Sequence, residues 1–191
     1  MKSLSIILIV GGACLLAPAI APADDVEEAR RIATQMIKSD AIRFLTDREF
    51  EVEGDAVEGK ARAVDPEEHV KVEIKDLLLV PGHVTVKFKL DARFEFEGKL
   101  TADDNEIDVR ATATISPEID IEADYRFEDG QLWVEARLTD AEFAAKLLEL
   151  EPDDLPGGKR AAEELIVKEL ERKKDDLIRE VNDWVGEQTR R

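Results

Sequence analysis

Residues able to do chemistry are few in this chain. It has two histidines, His69 and His83, and beyond residue 23 only two serines, Ser39 and Ser116. A serine nucleophile needs a base within hydrogen-bond reach and a strained turn that presents its hydroxyl, and neither serine stands in such a context. The histidines flank the strand-like run 70–80 from opposite ends, which argues against a shared metal site. Asp103-Asp104-Asn105-Glu106 with Asp108 has the carboxylate density of a calcium loop. It lacks the turn glycine and the closing glutamate of an EF-hand, so it reads as a polar hairpin loop. There is no glycine-rich phosphate loop. Asp and Glu number 45 against 27 Lys and Arg, and most alternate along strands or line helices, as solvated faces do. These residues point to a protein that is not an enzyme and uses no cofactor or metal. Paired carboxylates keep acid–base catalysis as a lesser alternative.

The elements that would position any site are legible in the stretch from Val84 to Phe127. Its even positions read Val84, Val86, Phe88, Leu90, Ala92, Phe94 and Phe96, with Thr, Lys, Asp, Arg and Glu between them. From Ile107 to Phe127 the odd positions are apolar. This period of two predicts two very long, half-buried strands. Charge sets their register. With Leu100 facing Ile107, Lys99 opposes Asp108, Glu97 opposes Arg110, Lys89 opposes Glu118 and Lys87 opposes Asp120. On the inner face Phe96, Phe94 and Ala92 oppose Ala111, Ala113 and Ile115, and each such cross-strand pair contributes roughly 0.2–1 kcal/mol. Pro117 cannot donate to a ladder, so Ser116-Pro117-Glu118 is either a tight turn or a bend in a continuous strand. The Lys87 and Lys89 pairings favour the bend.

Around this pair the chain predicts a helix over 26–45, capped by Asp24 or Asp25. A strand from Phe50 then has a bulge or turn near Ala56–Val57, and a strand over 70–80 has a bulge at Lys75–Asp76. Pro81-Gly82 sets Leu79 against Val84, and Asp129-Gly130 sets Phe127 against Leu132. Trp133 falls on the polar face opposite Arg126 and reads as stacked on it, with a surface anchor as the alternative. A short helix from Thr139 carries Phe143, Leu147, Leu148 and Leu150. A closing helix carries Ala162, Leu165, Ile166, Leu170, Leu177, Ile178, Val181, Trp184 and Val185. The fold class is α+β: an N-terminal helix, a long curved antiparallel meander sheet, and a long C-terminal helix packed along the concave face.

Residues 1–23 read as a signal peptide, with Lys2, an apolar run from Leu4 to Leu16, and Ala21-Pro22-Ala23 before Asp24. The run is too short to span a bilayer comfortably, and Cys14 lacks the apolar residue three positions upstream that lipidation favours. Export, with cleavage near Ala23 and a periplasmic or extracellular destination, leaves residues 24–191 as one domain with no cysteine and no transmembrane span. A formal charge of −18 argues against nucleic acid as a partner.

The order of elements resembles the tubular lipid-binding (TULIP) superfamily, in particular its small bacterial envelope members. The resemblance lies in VKVEIKDLLLVPGHVTVKFKL, in ATATISPEIDIEADYRF with its mid-strand proline, and in GQLWVEARLTDAEF before the last helix. It covers most of residues 24–191 by pattern rather than by invariant residues. It implies an elongated groove for a lipid or another hydrophobic small molecule, lined by Phe88, Leu90, Phe94, Phe96, Ala113, Ile115, Ile119, Tyr125 and Phe127. The inner alanines equally permit close helix packing, which would make the chain a filled-core envelope module with a protein partner of unknown kind. An outer-membrane barrel is a further alternative, disfavoured by the amphipathic helices at both ends.

Overall fold

The computed structural model describes residues 23–54, 57–102, 105–128, 131–153 and 158–189. The predicted leader with Cys14, and Asp103 and Asp104 of the acidic loop, lie outside the described residues. Among the described residues the architecture is mixed α+β, an open eight-stranded antiparallel sheet with four helices. Its spine is β4, His83–Ala102, one strand of 20 residues. At about 3.3 Å per residue it runs roughly 65 Å.

On one flank of β4 lie β5 (Asn105–Ile115) and β6 (Glu118–Glu128), and the pairing keeps one register across Pro117, with Ala92 opposite Ile115 and Lys89 opposite Glu118. Pro117 is therefore a bend in a continuous path and not a turn. Its carbonyl accepts from the Leu90 N–H at 2.9 Å, while Ser116 exchanges backbone bonds with Ala144. The missing proline donor thus costs the ladder little. Each predicted pairing of Lys99, Glu97, Phe96, Phe94, Ala92, Lys89 and Lys87 occurs as backbone register. The side-chain ion pairs are partly diagonal. Lys87 reaches Glu118 at 3.0 Å, Lys89 turns to Asp91 at 3.2 Å, and Lys99 takes Glu106 at 2.7 Å.

The other flank carries β2 (Val57–Ala63) and β3 (Lys71–Val80), separated by the helical turn α2 (Pro66–His69). Beyond β2 lies β1 (Glu49–Glu53), paired antiparallel with it, and Gly54 and Val57 exchange backbone hydrogen bonds; Ala56 of the expected bulge or turn lies outside the described residues. The β3 register shifts between Ile74 and Asp76, where the apolar parity changes. Pro81-Gly82 closes the β3–β4 hairpin, with Gly82 at φ 84°, the left-handed position that glycine takes without strain. The interruptions between β2 and β3 and between β5 and β6 face the same short span of β4, Leu90–Arg93, and the one between β7 (Gln131–Glu142) and β8 (Ala145–Glu151) adjoins them through Ser116 and Ala144. β4 is the strand that crosses this line unbroken. Ser116 pins the line on the polar face, donating to Asp91 Oδ1 at 2.6 Å.

Residues 139–151 differ from the sequence expectation. Instead of a helix, β7 (Gln131–Glu142) pairs with β6 and β8 (Ala145–Glu151) pairs with β5. The register shifts near Thr139 and Leu148 each insert one residue. A bulge turns a spacing of two into three, so buried Leu138 and Ala141, then Leu147 and Leu150, follow at i, i+3 and imitate a helix.

The first helix, α1 (Ala23–Leu45), is already running at Ala23, so Asp24 and Asp25 fall in its first turn and do not precede it. The closing segment is two helices, α3 (Gly158–Arg172) and α4 (Lys174–Thr189). Helical bonds Lys173→Glu169 and Leu177→Lys173 flank the break. Arg172 closes α3, and Asp175 and Asp176 fall in the first turn of α4, where the helix dipole favours acidic side chains.

Candidate hydrophobic ligand groove

The helices α1 and α3 meet the apolar face of the sheet toward its opposite sides, while α4 bonds the edge strand β7 through Asn182. From α1, Ala33 and Ile37 join Ile74, Val84, Val86, Phe88 and Ala123 in one buried cluster. The end of α1 supplies Leu45 to a second cluster with Val70 and Ala92. From α3, Ala162 and Ile166 touch a third, built of Val109, Ala113, Leu147 and Leu150. The helices also seal strand edges. Arg30 of α1 donates to the Ile74 carbonyl on β3. On the far edge Glu163 accepts from Leu147 N–H, Glu171 from Phe143 N–H, and Asn182 bonds both backbone groups of Leu138. These carboxylates and the carboxamide occupy donors that a free edge would offer to another strand.

Half-buried apolar side chains pack against these clusters, and here the predicted lining residues divide. Phe88 and Ala113 are only 3% and 5% exposed, locked beneath α1 and α3 respectively. Leu90, Phe94, Ile115 and Ile119 are half-buried along the middle of the sheet. Phe96 is half-buried too, but its ring lies against the facing glycines Gly59 and Gly98, where added Cβ atoms would come within 2.8 Å and 2.7 Å of it. Tyr125 sits at the Pro81-Gly82 end with its hydroxyl donating to the Val80 carbonyl at 3.4 Å. Phe127 pairs with Leu132 in register and Trp133 with Arg126, but the three side chains of Phe127, Leu132 and Trp133 lie outside the described residues.

Sequence reading missed the aromatic wall at the other end. Phe44 of α1 and Phe50 of β1 stand 6.2 Å apart, and Phe50 meets Phe94 edge-on at 6.0 Å. The Arg48 guanidinium stacks on Phe44 at 4.0 Å and pairs with Glu180 of α4 at 2.8 Å. The signal available in the sequence was Phe50 opening an alternating run with its neighbour Phe44 six residues before. The cross-chain partners were not readable.

Two polar features bear on the groove. Asp40 of α1 is 7% exposed, and neither carboxylate oxygen has a hydrogen bond. Arg43 approaches Oδ1 at 3.2 Å as an ion pair without hydrogen-bond alignment. Burial pushes the Asp40 carboxyl above its ordinary range, against the opposing pull of Arg43. On the opposite face of the sheet, His83 Nδ1 meets Asp124 at 2.8 Å and Nε2 meets Thr85 at 3.2 Å, an exposed cross-strand network. A shallow cleft of about 680 Å³ also lies there, against Glu97, Lys99, Asp108, Arg110, Glu151 and Pro152. Its charges are largely satisfied within the sheet, as in the Arg110–Glu97 pair at 2.9 Å. No helix among the described residues is long and apolar enough to cross a membrane. The chain matches no family model and no curated protein.

Proposed function

We propose that this chain is an exported, non-catalytic binder of a hydrophobic ligand, held in an elongated groove between sheet and helices in the manner of the TULIP superfamily. The observation that carries the reading is that α3, despite its apolar stripe, has no fully buried residue, while Leu90, Phe94, Ile115 and Ile119 on the sheet are also only half-buried. A helix filling a dry core would bury its stripe completely. Apolar surface left half-covered on both layers suits an apolar chain, and each methylene it buried would contribute about 0.8 kcal/mol.

Curvature of the sheet around the closing helices is part of this proposal. It is supported by α3 reaching both ends of the β1-β2-β4-β5-β8 order: Glu163 accepts from β8, and Arg172 donates to the Glu53 carbonyl at the tip of β1. The Gly59–Gly98 pair offers a place for the bend. Binding is tested with the apolar dye N-phenylnaphthylamine on the purified, delipidated chain. Saturable fluorescence enhancement supports the groove, particularly if Ile119→Trp removes it without unfolding the protein.

A second reading is favoured by the tight burial of Phe88, Ala92 and Ala113. It is a filled-core structural module of the cell envelope, and it predicts no dye uptake at all.

A further inference from the structure

Asp40 stands where an apolar side chain would be expected. On α1 it lies three residues after Ile37, seven after Ala33 and four before Phe44, the centre of the stripe turned to the sheet. Ile37 belongs to the cluster over the first half of β4, and Phe44 packs against the cluster over its middle. Val72 and Leu90 adjoin both clusters. The carboxylate therefore sits above the junction between them, beside half-buried apolar side chains. Its side chain is 9% exposed, and both oxygens are buried without a hydrogen bond. A buried acceptor without a hydrogen bond is unfavourable relative to a satisfied one. Serving the fold alone, an apolar residue would do better there.

We infer that Asp40 receives the head group of the ligand, and that the ligand is an apolar chain ending in a hydrogen-bond donor, an alcohol or an amine, and not a carboxylate. This inference rests on the groove reading above. A hydroxyl or ammonium entering the groove would supply the hydrogen bond that these oxygens lack, since the Arg43 guanidinium meets Oδ1 only as an ion pair at 3.2 Å. A fatty acid would instead bring a second carboxylate against Asp40, and like charges at that distance cannot both ionise without penalty. The formal charge of −18 adds a long-range bias in the same direction.

The test is competition against N-phenylnaphthylamine by a fatty alcohol, a fatty amine, a fatty acid and an alkane of one chain length, on the delipidated chain of residues 24–191. The alcohol and amine should displace the dye at roughly tenfold lower concentration than the acid, as one charge-assisted hydrogen bond predicts. Asp40→Leu should abolish that preference while dye and alkane binding persist. Asp40→Asn, nearly isosteric, should keep the alcohol and lose the advantage of the amine. Dye binding with no preference among head groups would overturn the role of Asp40 and leave the groove standing. No binding of dye or of any competitor would overturn both.

Discussion

The Asn182 carboxamide pairs with Leu138 as a neighbouring strand would, with Oδ1 accepting from the Leu138 N–H at 2.7 Å and Nδ2 donating to its carbonyl at 3.0 Å. Through this contact α4 occupies the open edge of β7. Replacing Asn182 by Ala leaves both backbone groups without their partner, so it should destabilise the fold by about 1–3 kcal/mol. Asn182→Asp, which keeps the acceptor and loses the donor, should do less harm. Urea unfolding of the three proteins gives the comparison. Edge-mediated oligomers of the Ala variant, seen by light scattering, would be a second expected outcome.

The Gly59–Gly98 pair predicts a steric effect. A Cβ at Gly98 would stand 2.2 Å from the Glu58 carbonyl and 2.7 Å from the Gly59 Cα, both backbone atoms that cannot swing away. Gly98→Ala should therefore cost more than about 2 kcal/mol in a denaturant titration, beyond the usual range for an exposed strand. Gly158→Ala would meet no neighbouring atom within 4 Å but stands at φ 60°, so its penalty should be the smaller one, that of left-handed backbone alone.

Asp40 sets a pH dependence. Its carboxyl is held above the ordinary value of 3.8 in the folded chain, so the folded state binds the proton more tightly than the unfolded state does. Stability from this group is accordingly lost as pH rises through and above that ordinary value. Asp40→Asn should then be more stable than the parent at neutral pH, with the difference shrinking toward zero below pH 3.8. Denaturation midpoints across that range measure it. An unchanged difference at all pH values would show that Asp40 folds without a proton penalty.

Asp91 behaves in the opposite sense. Burial works against its ionisation, but the Ser116 hydroxyl and Lys89 outweigh burial and hold its carboxyl below the ordinary range. That stability is present at neutral pH and disappears as pH falls through the lowered value. Ser116→Ala should cost about 1 kcal/mol at neutral pH and less in acid.

The central hairpin was legible because charge and size complementarity both select one register, and Pro117 bends the strand without moving that register. The Pro81-Gly82 turn was legible from turn chemistry and its flanking pair Leu79–Val84 occurs as expected; Asp129-Gly130 lie outside the described residues, but the pair Phe127–Leu132 that they were expected to set occurs in register. The strand β8 was not, because bulges near Thr139 and Leu148 produce a helical spacing of apolar residues from an extended chain. The break at Lys173 was hidden because no proline or glycine marks it. Of the proposed groove, the sheet side could be read from alternation. Which members lie under a helix, as Phe88 and Ala113 do, depends on where α1 and α3 land, and nothing local in the sequence encodes that. Asp40 passed unnoticed among 45 acidic residues, since only the packing of α1 reveals that this one is turned inward.

The most direct test of the account is native mass spectrometry of the full chain, with the proposed leader, produced in an exporting host and purified without detergent. The account predicts a population heavier than residues 24–191 by the mass of a bound hydrophobic molecule, released on denaturation and lost in Ile119→Trp. A single ligand-free species, in a protein that also takes up no dye after delipidation, would contradict it.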